Sequence, residues 1–282
     1  MSKILERTEL APKIVRLVLD APEIARRHQP GQFIIMRPDE TGERVPMSVA
    51  DVDRERGTIA TVIQEVGVTS AKLCAMNAGD DVADVVGPLG VPTHVEKFGT
   101  AVCVGGGAGI PPLYLIARRF KETGNHLISI LGGRDRRYVL MEEEMRATSD
   151  EVIICTDDGS YGKKGFVTVA LEELIASGRQ IDYVLAIGPP LMMKAVAELT
   201  RPHKITTYAS LNTIMIDGTG MCGACRVSVG GQTRFVCADG PEFDAHQINF
   251  DEMMKRLQMY RTLEQRAYER YLGQVGDRAA CE

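Results

Sequence analysis

The sequence predicts two structural classes in one chain. An antiparallel β-barrel over 1–97 precedes an α/β domain with a parallel sheet over 98–208, then a cysteine-bearing loop over 209–250 and a helix and tail over 251–282. Three observations carry this reading. The first hundred residues hold short Val- and Ile-rich runs separated by Gly, Pro and Asp; strand-like and helix-like runs then alternate; and three of the seven cysteines gather after residue 208.

The barrel strands are read from "IVRLVLD" (14–20), "GQFIIMRP" (31–38), "VPMSVADVD" (45–53) and "GTIATVIQEVG" (57–67), whose even spacing and turn residues suit a small antiparallel barrel. From Thr100 the texture changes. "TAVCV" (100–104) is a buried strand, and Leu113, Ile116, Ala117 and Phe120 repeat at helical spacing. "HLISILGG", "EVIICTDDG" and "YVLAIGPP" are further strands, Val167, Leu171, Leu174 and Ile175 mark a helix, and another helix covers 190–200. Met253, Leu257, Tyr260, Leu263, Ala267 and Tyr271 recur every three or four residues, which predicts one long amphipathic helix over 251–272.

Composition narrows the function. The chain has 282 residues, 44% hydrophobic and 25% charged, the balance of an ordinary globular protein. A net charge of -5 lacks the basic footprint of a nucleic-acid binder, and no apolar run approaches a membrane helix. The N-terminus "MSKILERTEL" has no apolar signal region, so a cytoplasmic location is expected. In a reducing compartment the cysteines do not read as a disulfide framework. Cys74, Cys103, Cys155 and Cys281 are scattered, and the two in apolar strands, Cys103 and Cys155, read as small buried hydrophobes.

Chemistry concentrates in loops. "GGGAGIPP" (105–112) lies where a strand passes into a helix, and its glycines allow close backbone approach to a pyrophosphate at a helix start. Gly107, Gly109, Ile110 and Pro111 are the candidate contacts, although the order is not G-x-G-x-x-G. "GGRDRR" (132–137), "TDDGSYGKKG" (156–165) and "GPP" (188–190) also follow strands, so they share one carboxyl edge, where open parallel sheets bind ligands. They add Gly133, Arg134, Asp157, Asp158, Gly188 and Pro189. Arg134, Arg136 and Arg137 are either a solvated run or phosphate contacts.

A small barrel followed by a nucleotide domain opening with "GGGAGIPP" resembles the ferredoxin-NADP reductase superfamily, whose barrel carries flavin and whose second domain carries NAD(P). The resemblance implies FAD contacts in "RVPMS", where Ser48 takes the serine place of the family's Arg-x-Tyr-Ser stretch and faces flavin N5. Met47 stands in the tyrosine place and Val45 in the arginine place, so Arg44 supplies the phosphate contact, with Pro46 and Val62 beside it. "EVGVTS" (65–70) resembles the flavin-phosphate turn, giving Gly67, Thr69 and Ser70. "GPLG" (87–90) resembles the loop that closes the barrel on the cofactor, giving Gly87, Leu89 and Gly90. Ile187 stands where many relatives have a cysteine, so no catalytic thiol is assigned.

"DGTGMCGAC" completes the picture. Against the C-x4-C-x2-C-x(n)-C loop of the dihydroorotate dehydrogenase electron-transfer subunit, the chain reads D-x4-C-x2-C-x11-C, with Asp217, Cys222, Cys225 and Cys237 in the ligand places of a [2Fe-2S] cluster. Soft thiolates suit such a cluster, and Gly218, Gly220 and Gly223 let the chain wrap it. A zinc site of three cysteines and a carboxylate, with His246 as a further ligand candidate, is the competing reading; unliganded cysteines beside a plain turn are another.

From "PGQFIIMRP" through "DGTGMCGACRVSVGG" to "CADGPEFDAH", the chain is similar to the small subunits of NADH-dependent reduced ferredoxin:NADP oxidoreductases, also labelled sulfide dehydrogenase or ferredoxin-NADP reductase alpha subunits. That resemblance implies FAD, NAD(H) and a [2Fe-2S] cluster in an electron-bifurcating heterodimer. The larger partner holds flavin and [4Fe-4S] clusters and serves ferredoxin and NADP(H). It favours NADH, while the arginines of "GGRDRR" would suit a 2′-phosphate. Sibling readings are a dihydroorotate dehydrogenase or sulfur-reducing electron-transfer subunit; the remote one is a non-redox nucleotide module with a zinc loop.

Overall fold

A computed structural model describes residues 1–279. Strands β1 (Ser2–Ala11), β2 (Ile14–Asp20), β3 (Phe33–Arg37), β4 (Val45–Asp53), β5 (Thr58–Gln64), β6 (Asp81–Val82) and β7 (Asp84–Leu89) form one antiparallel sheet in the order β6-β1-β2-β5-β4-β3-β7. Its two edge strands are separated only by Ala83 in the chain, so the sheet curls into a near-closed barrel. Helices α1 (Pro22–Arg27) and α2 (Val68–Ala75) cover it. Side chains alternate across a strand, and β2 places Val15, Leu17 and Leu19 inside with Ile59 and Ile63 of β5.

Strand β3 explains its own unbroken apolar run. Ile34 and Met36 point into the barrel core, whereas Phe33 and Ile35 join the core shared by the second sheet and the cysteine segment. Both faces are buried, so no polar alternation is possible.

The second sheet contains β8 (Thr100–Gly106), β9 (His126–Gly133), β10 (Glu151–Thr156), β11 (Lys163–Lys164), β12 (Tyr183–Ile187) and β13 (Thr206–Ser210), parallel in the order β11-β10-β9-β8-β12-β13. Crossovers α3 (Ile110–Glu122) and α4 (Glu142–Thr148) lie on one face, and α5 (Val167–Ala176) and α6 (Pro190–Thr200) on the other. The expected helical stripe of α3 is real: Leu113, Ile116, Ala117 and Phe120 are all buried. Strand order reverses at β8, so the crevice beyond the carboxyl ends of β8 and β12 is the topological switch point where such sheets bind ligands.

After β13 the chain runs through the cysteine loop, the hairpin β14 (Arg226–Val229) and β15 (Gln232–Phe235), and the short α7 (Val236–Asp239). It then returns as β16 (Glu242–Asp244), which pairs antiparallel with β13. The parallel domain therefore gains an antiparallel edge strand from beyond residue 208, and β13 itself runs past that position to Ser210.

The single C-terminal helix expected over 251–272 is instead two, α8 (Phe250–Leu257) and α9 (Arg261–Ala279), with a turn between them. The Asn249 side chain caps α8 by accepting from Glu252 N–H, and Met253 is buried in the core. Beyond Leu257 the apolar stripe meets a different surface: Tyr260, Leu263 and Ala267 face the cavity beside the barrel, and the chain bends to reach it. Helix α9 is held there by Tyr268, whose hydroxyl donates to Glu65 and accepts from Lys13 Nζ at 3.0 Å. Helix α9 runs on to Ala279 through part of the tail expected after residue 272, and the rest of that tail, with Cys281, lies outside the described residues.

Barrel, nucleotide sheet and cysteine segment meet at Glu242, which is half-buried and accepts from Thr93 Oγ1 at 2.6 Å. Burial pushes its carboxyl from the ordinary 4.5 up to about 7. The folded state holds this proton more tightly than the unfolded chain, so the stability it confers is full below pH 4.5 and is lost as pH rises to about 7. Glu242→Gln should make the protein more stable than the parent at about pH 8, by about 1–3 kcal/mol, and nearly equal to it at about pH 4. Denaturant unfolding at the two pH values reads the difference.

Candidate cofactor cavity and cysteine loop

A cavity of about 1870 Å³ opens between the barrel, the carboxyl edge of the second sheet and the segment after β13, with α9 as its outer wall. On the barrel side it is lined by Arg44, Pro46, Met47, Ser48, Val62, Gly67, Thr69 and Ser70. Pairing of β4 with β3 sets Met47 opposite Ile34 and Ser48 opposite Phe33, and the Ser48 side chain is exposed to the cavity. Ser70 is already engaged: its Oγ accepts from the N–H groups of Val66 and Gly67, each at 2.9 Å, and so builds the turn that starts α2. No acidic residue lies in that first helical turn, which leaves its dipole end available to an anion.

On the nucleotide side the lining is Gly107, Gly109, Gly133, Arg134, Asp157, Gly188 and Pro189. Two glycines here are needed for different reasons. Gly107 has φ of +52° with open space where a side chain would stand, whereas a Cβ on Gly109 would come within 2.3 Å of Ile187 O. One keeps the cradle empty; the other lets it pack against the end of β12.

Some predicted contacts lie elsewhere. Ile110 and Pro111 are buried in α3, and Asp158 is exposed, its Oδ1 accepting from Ser160 N–H at 2.8 Å. Gly87, Leu89 and Gly90 are outside the cavity lining: β7 runs through Leu89, and this stretch packs against β3 and the cysteine segment. Val91 N–H donates to Gly240 O at 2.7 Å, continuing the same seam.

Of the three arginines in "GGRDRR", Arg134 alone lines the cavity, resting 4.7 Å over the Tyr138 ring. Arg137 is bound by Asp135 through bonds of 3.0 and 2.9 Å, which hold the Asp135 carboxyl down to about 2. Arg136 rests over Tyr161. Sequence reasoning did not single out Phe166 and Leu191, which line the cavity at 67% and 69% exposure, nor Glu65 and Asn212, and it read Tyr260 only as part of a helical stripe. The exposed apolar residues at the starts of α5 and α6 were the available signal.

In the cysteine loop, Gly218, Gly220 and Gly223 all have positive φ, and a Cβ on Gly218 would strike Leu89 at 2.7 Å. The loop therefore folds tightly against β7. The Asp217 carboxylate accepts from Thr219 N–H at 2.7 Å and Cys222 N–H at 2.9 Å, and these bonds hold it below the ordinary carboxyl range. Cys222 is exposed. Cys225 and Cys237 are buried with their sulfurs 3.2 Å apart, and burial together with the neighbouring thiol pushes Cys237 up to about 12.

The Asp217 carboxylate is tied to the backbone N–H of Cys222, and the Cys225 and Cys237 sulfurs lie together. His246 is turned away, its Nε2 lying 3.0 Å from Thr200 Oγ1. A donor set of three soft thiols and one carboxylate suits an iron-sulfur cluster.

Comparison with known proteins agrees with this division. Residues 212–249 match the iron-sulfur cluster binding domain of dihydroorotate dehydrogenase B, and residues 103–198 match the oxidoreductase NAD-binding domain. The chain is 43% identical over 277 residues to the dihydroorotate dehydrogenase B (NAD(+)) electron transfer subunit homolog of Thermotoga maritima, covering 98% of each. It is 35% identical over 254 residues to the dihydroorotate dehydrogenase B electron transfer subunit of Geobacillus thermodenitrificans, covering 87% of this chain and 96% of the relative. A chain from the structure of the NADH-dependent reduced ferredoxin-NADP oxidoreductase, solved for insight into flavin-based electron bifurcation, superposes with a TM-score of 0.91 at 42% identity, covering 96% of this chain and 98% of that one. Among the described residues no helix is long and apolar enough to cross a membrane. With a ferredoxin-NADP reductase-like barrel and nucleotide domain and an iron-sulfur domain in series, the chain belongs to the family of dihydroorotate dehydrogenase B electron-transfer subunits and their homologues, and it is an oxidoreductase electron-transfer subunit.

Proposed function

We propose that this chain is the NAD(H)- and FAD-binding small subunit of an electron-bifurcating NADH-dependent reduced ferredoxin:NADP oxidoreductase. The supporting observation is the degree of likeness: the oxidoreductase chain superposes with a TM-score of 0.91 at 42% identity, against 35% identity to the dihydroorotate dehydrogenase subunit of Geobacillus thermodenitrificans, while the Thermotoga maritima relative at 43% carries the dihydroorotate dehydrogenase name as a homolog. In that reading the larger partner carries flavin and [4Fe-4S] clusters and serves ferredoxin and NADP(H), and the complex works in the cytoplasm.

The cofactors supply the chemistry when bound: nicotinamide and flavin exchange hydride, and the iron-sulfur cluster carries single electrons. The protein's part is to bind and orient. Arg44 and the start of α2 at Gly67, Thr69 and Ser70 hold the flavin's phosphates, with Met47, Pro46 and Val62 beside its ring. The Ser48 hydroxyl, exposed to the cavity, would be a donor for the flavin ring. Gly107 and Gly109 admit the dinucleotide's pyrophosphate, with Gly133, Arg134, Asp157, Gly188 and Pro189 completing the crevice and Phe166 offering an aromatic wall. Asp217, Cys222, Cys225 and Cys237 are the cluster ligands.

Anaerobic purification from the native host tests the reading directly. Flavin absorbance with a broad iron-sulfur shoulder, acid-labile sulfide and a stoichiometric larger subunit containing flavin and [4Fe-4S] are expected. A colourless protein with stoichiometric zinc would overturn it, and a dihydroorotate-oxidising partner would move the chain to the sibling activity. Within the site, Gly107→Val should raise the Kd for NADH at least about tenfold, roughly 1.4 kcal/mol, while flavin content stays at the parent level. Unchanged NADH titrations would remove Gly107 from the cradle.

A further inference from the structure

The two residues between Cys222 and Cys225 are Gly223 and Ala224, and both of their carbonyls accept from guanidinium groups. Arg226 Nη1 donates to Gly223 O at 3.1 Å, and Arg256 Nη2 donates to Ala224 O at 3.1 Å. Arg226 sits directly after Cys225, but Arg256 comes from the last turn of α8, 32 residues along the chain from Ala224. Neither arginine has a carboxylate within ion-pairing distance among the described residues, unlike Lys194, which pairs with Glu198 and Asp251. The same two arginines line a small cavity of about 170 Å³ behind the turn, together with Ala224 and Thr213. The buried Thr213 hydroxyl has no hydrogen-bond partner there.

Arg226 is exposed and Arg256 half-buried, so water screens part of their mutual repulsion, yet both hydrogen bonds set positive charge beside the one turn that carries Cys222 and Cys225. A cluster held by three thiolates and a carboxylate is anionic, and reduction makes it more so. Nearby positive charge and hydrogen bonding therefore favour the reduced form.

We propose that Arg226 and Arg256 are positioning residues for the cluster. They clamp the Cys222–Cys225 turn from behind and raise the potential at which the site accepts an electron. The inference rests on the reading of this loop as a [2Fe-2S] site, and it assigns a second task to α8: its last turn supplies charge to the loop as well as covering it.

The test is an anaerobic redox titration of the full-length chain by EPR, comparing the parent with Arg256→Gln, Arg226→Gln, Arg256→Lys and Lys255→Gln. Held at the parent's midpoint, Arg256→Gln and Arg226→Gln should each lower the reduced-to-oxidised ratio by up to about tenfold, a negative shift of up to about 59 mV for a one-electron couple. Arg256→Lys keeps the charge and should retain most of the potential. Lys255→Gln removes an exposed charge from the same helix and should leave it unmoved. If both glutamine variants hold parental iron and sulfide with unchanged ratios, or if Lys255→Gln shifts as far as they do, the proposal fails. Should Arg256→Gln lose its iron, Arg226→Gln, whose residue lies outside α8, decides the matter by its own ratio. Absence of any binuclear cluster signal in the parent would overturn the functional reading instead.

Discussion

Three residue pairs between β13 and β16 organise everything that follows the nucleotide domain: Tyr208 opposite Asp244, Ala209 opposite Phe243 and Ser210 opposite Glu242. They make the cysteine segment an excursion from an edge strand, with both ends anchored to the sheet. Leu211 N–H then bonds Pro241 O at 2.9 Å, closing the neck of that excursion. Residues 210–216 leave the sheet along the cavity wall, and α7, carrying Cys237, is the last element before the return. Cofactor cavity and cysteine loop are thus fixed relative to each other by backbone pairing, which is stiffer than contact between separate domains.

Much of the fold was legible because it follows period and punctuation. The runs at 14–20, 45–53, 126–133 and 190–200 coincide with β2, β4, β9 and α6. Strand β1 was not legible: of its ten residues only Ile4 and Ala11 are buried, and its polar side chains carry no alternation. The split between α8 and α9 was hidden for a related reason. Spacing reports that apolar residues share a face, but not that Met253 and Leu263 serve different surfaces.

The site was legible where chemistry is local. Counting along "DGTGMCGAC" brought out Asp217, which the structure holds against Cys222 N–H, and loops following strands converge as sheet topology requires. Contacts that depend on orientation were less accessible. Ile110 and Pro111 sit in a sequence that reads as a phosphate loop, yet both begin a helix with their side chains buried, and only Pro112 of that turn reaches the cavity. Asp135 and Arg137 neutralise each other two residues apart, so an apparently basic run offers the cavity one arginine. The guanidinium reaching from α8 to Ala224 O spans too much sequence for spacing to predict.

Helix α9 has a consequence for how the protein is made. Tyr260, Leu263, Glu264 and Ala267 close the cavity's outer side and are tied to the barrel through Tyr268, Glu65 and Lys13. These are the last of its walls to leave the ribosome. Barrel and nucleotide sheet therefore emerge before this wall does, and the cleft between them gains its outer side only after the cysteine loop has also emerged. The order of synthesis thus leaves the cleft open on that side until the last helix docks.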